Sequence, residues 1–546
     1  MNKKLIAFFT GILMLFGAQG AVGGGAPIQT PATLFESTLP EVGARGIIFQ
    51  ENMQAMDSIG YIRYSHVPIF AANGSIDPKN FWNWKLCSSW EDSTCALKAG
   101  FTIEGRIYLG FCQDNSELGC VEGLSVKGLE GTSIPLKYVG PVLETIIDIP
   151  ESKIYQIPRS STPSIFQDEK SNLYLVRAGI FYSLDSRGSS NPKLDVDVHP
   201  VKKFVDVSVK APEPTVVKDP NSGLGVATVL NVRSDCLAIS AGICYKQSAT
   251  DLQQEYSLTI RIPAKVGGWF RGRLDSPIVN VKKLNAFSNL VSVTAKPVAM
   301  PIMAGWVKYD DLPRDFIKNL YPSGGYPESK SQTLGLYADA SQGVRGFEEF
   351  IAWAPYLKDK ALMTLDTWSF GTNLGTARNN CLSKSDSVAG VVSTNASVYA
   401  SEPPVWNAES MTLDYKVASP HLDENGEPNS GRYTLAISDE VIKCLYGFGK
   451  LPASATVSIV YGDSVKSVGT VSVGSRDGWS YFSANGFHYS APTIRVKFEA
   501  PEANPAQPSV SSGSKMIWCA KGNAKKKVTA VNPVCPKGYK KIKAPL

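Results

Sequence analysis

Leu258-Thr259-Ile260-Arg261-Ile262 places a branched apolar side chain at every second position, with a polar one between. Val291, Val293 and Ala295 repeat the pattern against Ser292, Thr294 and Lys296, and Ile494, Val496 and Phe498 repeat it against Arg495 and Lys497. Period-two alternation rich in β-branched residues belongs to strands with one face buried and one face wet, which is the pattern of antiparallel sheets. Turn pairs punctuate such runs at Asn73-Gly74, Gly462-Asp463, Arg476-Asp477-Gly478 and Asn485-Gly486. Helical spacing is confined to Phe347, Phe350, Ile351 and Leu357, with Pro355 set to end that helix, and to a shorter stretch over 312–320. The expected fold is mainly β: several antiparallel, sandwich-like domains with one or two short helices, stapled by disulfides.

The staples come from ten cysteines. Cys87 with Cys95, Cys112 with Cys120, and Cys236 with Cys244 each enclose seven residues, turn-rich in the first two cases, so each pair is expected to close a loop. Cys381 with Cys444 and Cys519 with Cys535 then pair by elimination. Zinc sites want closer thiol spacing and a nearby histidine, which these pairs lack, so no metal and no cofactor is expected.

Disulfides suit an oxidising compartment, and the first residues agree. Lys3 and Lys4, the apolar run 5–16 and the small-x-small site 18–20 have the features of a secretory signal, so the mature chain is expected to begin near Ala21. That apolar run is too short to span a bilayer as a helix, and no integral membrane segment is expected after cleavage. Beyond it, the expected divisions are β domains at 21–210, 211–305 and 306–498, the last carrying the helix at 347–357. Residues 211–222 would serve as a connector, 499–514 as a Pro-rich linker and 515–546 as a basic tail.

Charge is unevenly placed. The formal +6 hides nine lysines and no acid in 515–546. Setting these aside with the two signal lysines leaves 44 basic against 49 acidic residues, a body of about −5. Basicity confined to a tail, without basic and aromatic residues spread over a folded face, argues against a nucleic-acid partner. Lys521, Lys525, Lys526 and Lys527 fall inside the Cys519–Cys535 loop, which is expected to hold one short strand at 528–531. Lys537, Lys540, Lys541 and Lys543 follow outside it. Anionic cell-wall polymers or other surface components are the expected partners of this tail.

Signatures of catalysis are missing: there is no H-E-x-x-H, G-x-S-x-G, Walker loop or post-strand G-x-G-x-x-G. Asp195, Asp197 and His199 share one face of a strand whose other face is Leu194, Val196 and Val198. Two carboxylates and an imidazole in a row could bind a divalent cation, though the solvated face of an edge strand reads alike. His421 precedes an acidic turn at 423–427 whose carboxylates suit calcium but lack the spacing of a twelve-residue calcium loop, so it reads as an ordinary polar turn. Phe81, Trp82, Trp84 and Trp90 gather at the first staple. Trp82 and Trp84, on one strand face, are candidates for stacking on a sugar ring, although core packing uses the same residues.

The C-terminal third carries a resemblance. Cys444-Leu-Tyr-Gly-Phe, Pro452-Ala-Ser-Ala-Thr-Val, Asp477-Gly-Trp and 486–494 (GFHYSAPTI), with the tail run ending Cys535-Pro-Lys-Gly-Tyr-Lys-Lys, resemble large exported surface proteins of Actinobacteria with no assigned function. Residues 268–274 (GWFRGRL) and the segment from Trp353 to Trp368 also fit. The resemblance implies a secreted or wall-associated protein and brings no catalytic residues with it. A non-enzymatic structural or adhesive protein is the leading expectation. A glycan-binding protein using Trp and a hydrolase with carboxylates from distant segments are the alternatives.

Overall fold

The computed structural model describes most of residues 30–499 and 515–544. The longer stretches outside the described residues are 1–29, 51–58, 67–83, 322–332 and 500–514. The signal at 1–20, nearly all of the linker, Trp82 and the Asn73-Gly74 turn therefore lie outside them.

The period-two reading of the sequence meets a mainly β chain of several, mostly antiparallel sheets. Its spine is a long sheet. Across it run Trp84–Leu86, Tyr61–His66, Phe101–Tyr108, Leu173–Leu184, Lys193–Val205, Ser369–Thr372, Gly268–Arg273, Val388–Thr394, Ser430–Ser438, Trp479–His488 and Val471–Arg476. Gly268–Arg273 and Val388–Thr394 pair in parallel within this otherwise antiparallel path. A five-stranded sheet, Asp275–Lys283, Ser288–Lys296, Tyr256–Pro263, Cys120–Lys127 and Ser133–Pro135, packs on it. Leu258, Ile260, Ile262, Val291, Val293 and Ala295 from that sheet close one core with Ile180, Leu194, Val196, Val198 and Phe370 from the long one. This is sandwich packing driven by the alternation. A second core on the later strands joins Trp269, Val392, Leu435 and Phe482 to Leu413, Tyr415, Ile494 and Val496 of another sheet.

Several expectations change at this level. Strands on both sides of residues 211 and 306 share the long sheet, so it does not divide at those positions. The chain forms two compact units, Met1–Glu499 and Ala500–Leu546. Within the presumed connector, Glu213–Lys218 is a strand paired with Gly225–Leu230. Asn485-Gly486 makes a bulge, because Gly431 and Arg432 pair with Phe487 and Asn485 and skip Gly486, which takes φ 78°. Asp477 and Gly478, at φ 53° and 81°, do make the hairpin turn between Val471–Arg476 and Trp479–His488.

Helices are four among the described residues: Pro31–Ser37, Phe316–Leu320, Val344–Trp353 and Asp439–Tyr446. The third begins and ends earlier than expected. Phe347, Phe350 and Trp353 bury against Ile47 and Phe49, while Ile351 points out at 54% exposure. The fourth was not anticipated, although Asp439 and Glu440 in its first turn, Lys443 in its last and Gly447 at φ 65° are the signals such a helix carries.

All five disulfides form with the expected partners: Cys87–Cys95, Cys112–Cys120, Cys236–Cys244, Cys381–Cys444 and Cys519–Cys535. The local loops are braced from within or below. Asp92 accepts from the backbone of Ser88 and Thr94 at 2.9 and 2.8 Å, bonds that hold its carboxyl well below the usual range. Arg261, expected on the wet face, is 4% exposed because it donates to the carbonyls of Asp114 and Glu117 inside the second loop and to Glu122. Around the third loop, Arg233 and Lys246 converge on Asp235, and Ser208 with Arg233 lowers Asp206 to about 2.

Candidate functional site

The tail is a folded sheet. Lys515–Lys521 is its central strand, paired antiparallel with Ala524–Ala530 and with Lys540–Ile542. The first pair is a hairpin whose loop is Gly522-Asn523, and Gly522 takes φ 58°, which the first central position of a two-residue loop favours and glycine adopts freely. The strand expected at 528–531 is thus the end of a longer one.

Facing sides follow from register, because directly opposed residues project to the same face. Cys519 stands opposite Lys526 and Lys541, and Ile517 opposite Val528. Cys519 is fully buried through its bond to Cys535. On the other face Trp518 stands between Lys527 and Ile542, Ala520 between Lys525 and Lys540, and Met516 opposite Thr529. Lys521, Lys525, Lys526, Lys527, Lys537, Lys540, Lys541 and Lys543 are all exposed. Eight cations in so small a unit, six of them on the strands, with no acid in 515–546, repel one another and raise a local positive potential. The disulfide supplies the constraint that a unit with so little core needs. Sequence reading found the lysines but missed Trp518. Its place beside Cys519 was visible, whereas its neighbours across the sheet depend on register.

In the body, the row at Asp195, Asp197 and His199 lies on a central strand, between Leu173–Leu184 and Ser369–Thr372. The edge-strand reading is therefore corrected. Asp197 and His199 are buried. Arg177 Nε donates to Asp197 Oδ1 at 2.8 Å, His199 Nε2 lies 3.1 Å from the same oxygen, and Arg177 also donates to the Leu237 carbonyl. Burial pushes the Asp197 carboxyl up, but Arg177 and His199 outweigh it and hold the group below its ordinary value. Asp195 pairs instead with Arg271, which also donates to Tyr399 Oη and to the Thr372 carbonyl. Asp197 is thus held by Arg177 and His199, and Asp195 by Arg271, an arrangement that builds a polar layer within the body.

Trp90 is core, 1% exposed and edge-on to Tyr182. Trp84 is half-buried, and the Arg63 guanidinium covers one ring face at 3.5 Å from the centroid while bonding to Glu104. His421 donates from Nδ1 to the Tyr489 carbonyl at 2.6 Å, and the turn after it is closed by Asp423 accepting from Asn425 and Glu427. Two groups of ligand-type atoms occur among the described residues, Cys112/Cys120/Glu122 and Asp235/Cys236/Cys244. Both sulfurs in each are joined in a disulfide, so neither has a thiolate to offer. Among the described residues no helix is long and apolar enough to cross a membrane. The chain matches no family model, and no curated protein matches it.

Proposed function

We propose that the chain is an exported, envelope-associated, non-enzymatic protein of structural or adhesive type, held in place by its 515–546 tail on anionic wall polymers. The reading takes it as one of the actinobacterial surface proteins that its C-terminal third resembles. The observation that carries it is the tail itself: eight exposed lysines, six of them on the strands of a disulfide-closed sheet, with no acid over 515–546. Five disulfides support an oxidising destination. Each exposed ion pair contributes only about 0.2 to 1 kcal/mol, so attachment has to come from many at once on a repeating polyanion. A body of about −5 would be repelled by the same polymer, which leaves the tail as the attractive part.

Salt is the direct probe of this chemistry. On purified anionic wall polymer coupled to a resin, the full chain should be retained at about 0.05 M salt and released by about 1 M, where the Debye length falls to roughly 3 Å. A chain ending at Ser514 should pass through at both. Retention that ignores salt, or that is equal for the two chains, would reject the reading.

A further inference from the structure

The two faces of the tail sheet differ, and the difference selects a ligand. One face carries Cys519, whose disulfide brings Cys535 onto that side, and Lys521 on it lies against Gly538. That face is covered, at least along the Cys519 row, by the returning chain. The other face holds an apolar strip of Met516, Trp518 and Ile542, with Met516 54% exposed and Trp518 and Ile542 half-buried. Lys525, Lys527 and Lys540 flank it.

Strand geometry gives the scale of this face. Lys525 and Lys540 lie on opposite sides of Ala520, two strand spacings or about 9.6 Å apart at the backbone, and Lys527 stands about 6.8 Å along the strand from Lys525. Ala520 between the two lysines keeps the floor low. A ligand lying here would meet an indole and two aliphatic chains below and cations on either side.

We propose that this face binds an acidic polysaccharide, whose pyranose rings rest on Trp518 while carboxylate or phosphate substituents pair with Lys525, Lys527 and Lys540. Sugar ring faces are apolar and match an aromatic surface, and the substituents match the lysines in sign. A single-stranded nucleic acid also combines stackable rings with negative charge. The five disulfides fit an oxidising, extracellular destination, where acidic glycans are encountered more than nucleic acid, so the glycan is favoured. The inference rests on the tail reading above and adds to it a face and a ligand class. It also carries a thermodynamic consequence: the repulsion among tail lysines falls when the ligand binds, so binding stabilises the sheet.

The test uses the full chain, polygalacturonate as the acidic polysaccharide, inorganic polyphosphate as a polyanion without sugar rings, and poly(dT). Two charge-matched triple variants separate the faces: Lys525→Ala/Lys527→Ala/Lys540→Ala, and Lys521→Ala/Lys526→Ala/Lys541→Ala. The first should weaken polygalacturonate binding about tenfold and the second by no more than about threefold. Trp518→Ala should weaken polygalacturonate about fivefold while changing polyphosphate less than about twofold, and Trp518→Phe should restore binding. Mass mapping of the Cys519–Cys535 bond and hydrogen exchange over 515–530 report that each variant keeps the sheet. Equal losses for the two triples, or Trp518→Ala weakening polyphosphate as much as polygalacturonate, would overturn the face and its glycan while leaving a purely electrostatic tail intact. Tighter binding of poly(dT) than of polygalacturonate would overturn the ligand class. Binding of polygalacturonate unchanged by deletion of 515–546 would overturn the tail reading itself.

Discussion

At the residue scale, the deciding feature is where charge is buried. Asp197, with Arg177 and His199, sits inside the body, whereas Asp148 and Arg159 pair at the surface with side chains 57% and 66% exposed. Removing one member of a buried pair leaves an uncompensated charge, so Asp197→Ala should cost about 3 kcal/mol, and Asp148→Ala less than about 1. Denaturant unfolding of the two variants checks the ranking. The pH dependence has a definite sign. Asp197 is held below its unfolded value, so its contribution is present in full above the ordinary aspartate value of about 3.9 and is lost as the pH falls through its lower folded value. The wild-type chain should therefore lose stability below about pH 4 more steeply than Asp197→Asn. Parallel slopes for the two would show that the carboxylate contributes nothing.

At the element scale, the strands were legible because period two survives in one sequence, as at Val291, Val293 and Ala295, all buried. What alternation does not encode is the neighbour above each face. Arg261 and Asp197 occupy positions the pattern assigns to solvent. Both are buried because a staple loop in one case and Arg177 in the other arrive from distant sequence to satisfy them. Trp518 was overlooked for the same reason, since its lysine neighbour at 527 is set by register. Three disulfides were legible from their shared spacing and the other two by elimination, and their value should follow loop length. By the chain-entropy relation, Cys381–Cys444 is worth about 4 kcal/mol and Cys87–Cys95 about 2.5, the sequence separations being 63 and 8. Replacing both cysteines of the long link with serine should lower the melting temperature more than the same change in the short one. The reverse order, measured by calorimetry, would show that packing around the short loop, including buried Trp90, outweighs chain entropy.

At the scale of the whole molecule, charge and architecture divide in the same place. Residues up to Glu499 form one compact unit with several cores and an acidic balance. Ala500–Leu546 forms a second that is small and stapled, with nine lysines against one acid, Glu502. On the proposed reading, a disulfide-braced β body would resist unfolding outside the cell, and a separate cationic unit would let attachment be reversed by salt without disturbing it. The measurement that bears most directly on this account is fractionation of cells producing either the full chain or a chain ending at Ser514. The account predicts that the full chain stays with the cells at low salt and elutes at high salt, while the shortened chain, equally folded, appears in the medium. Equal cell association of the two would contradict it.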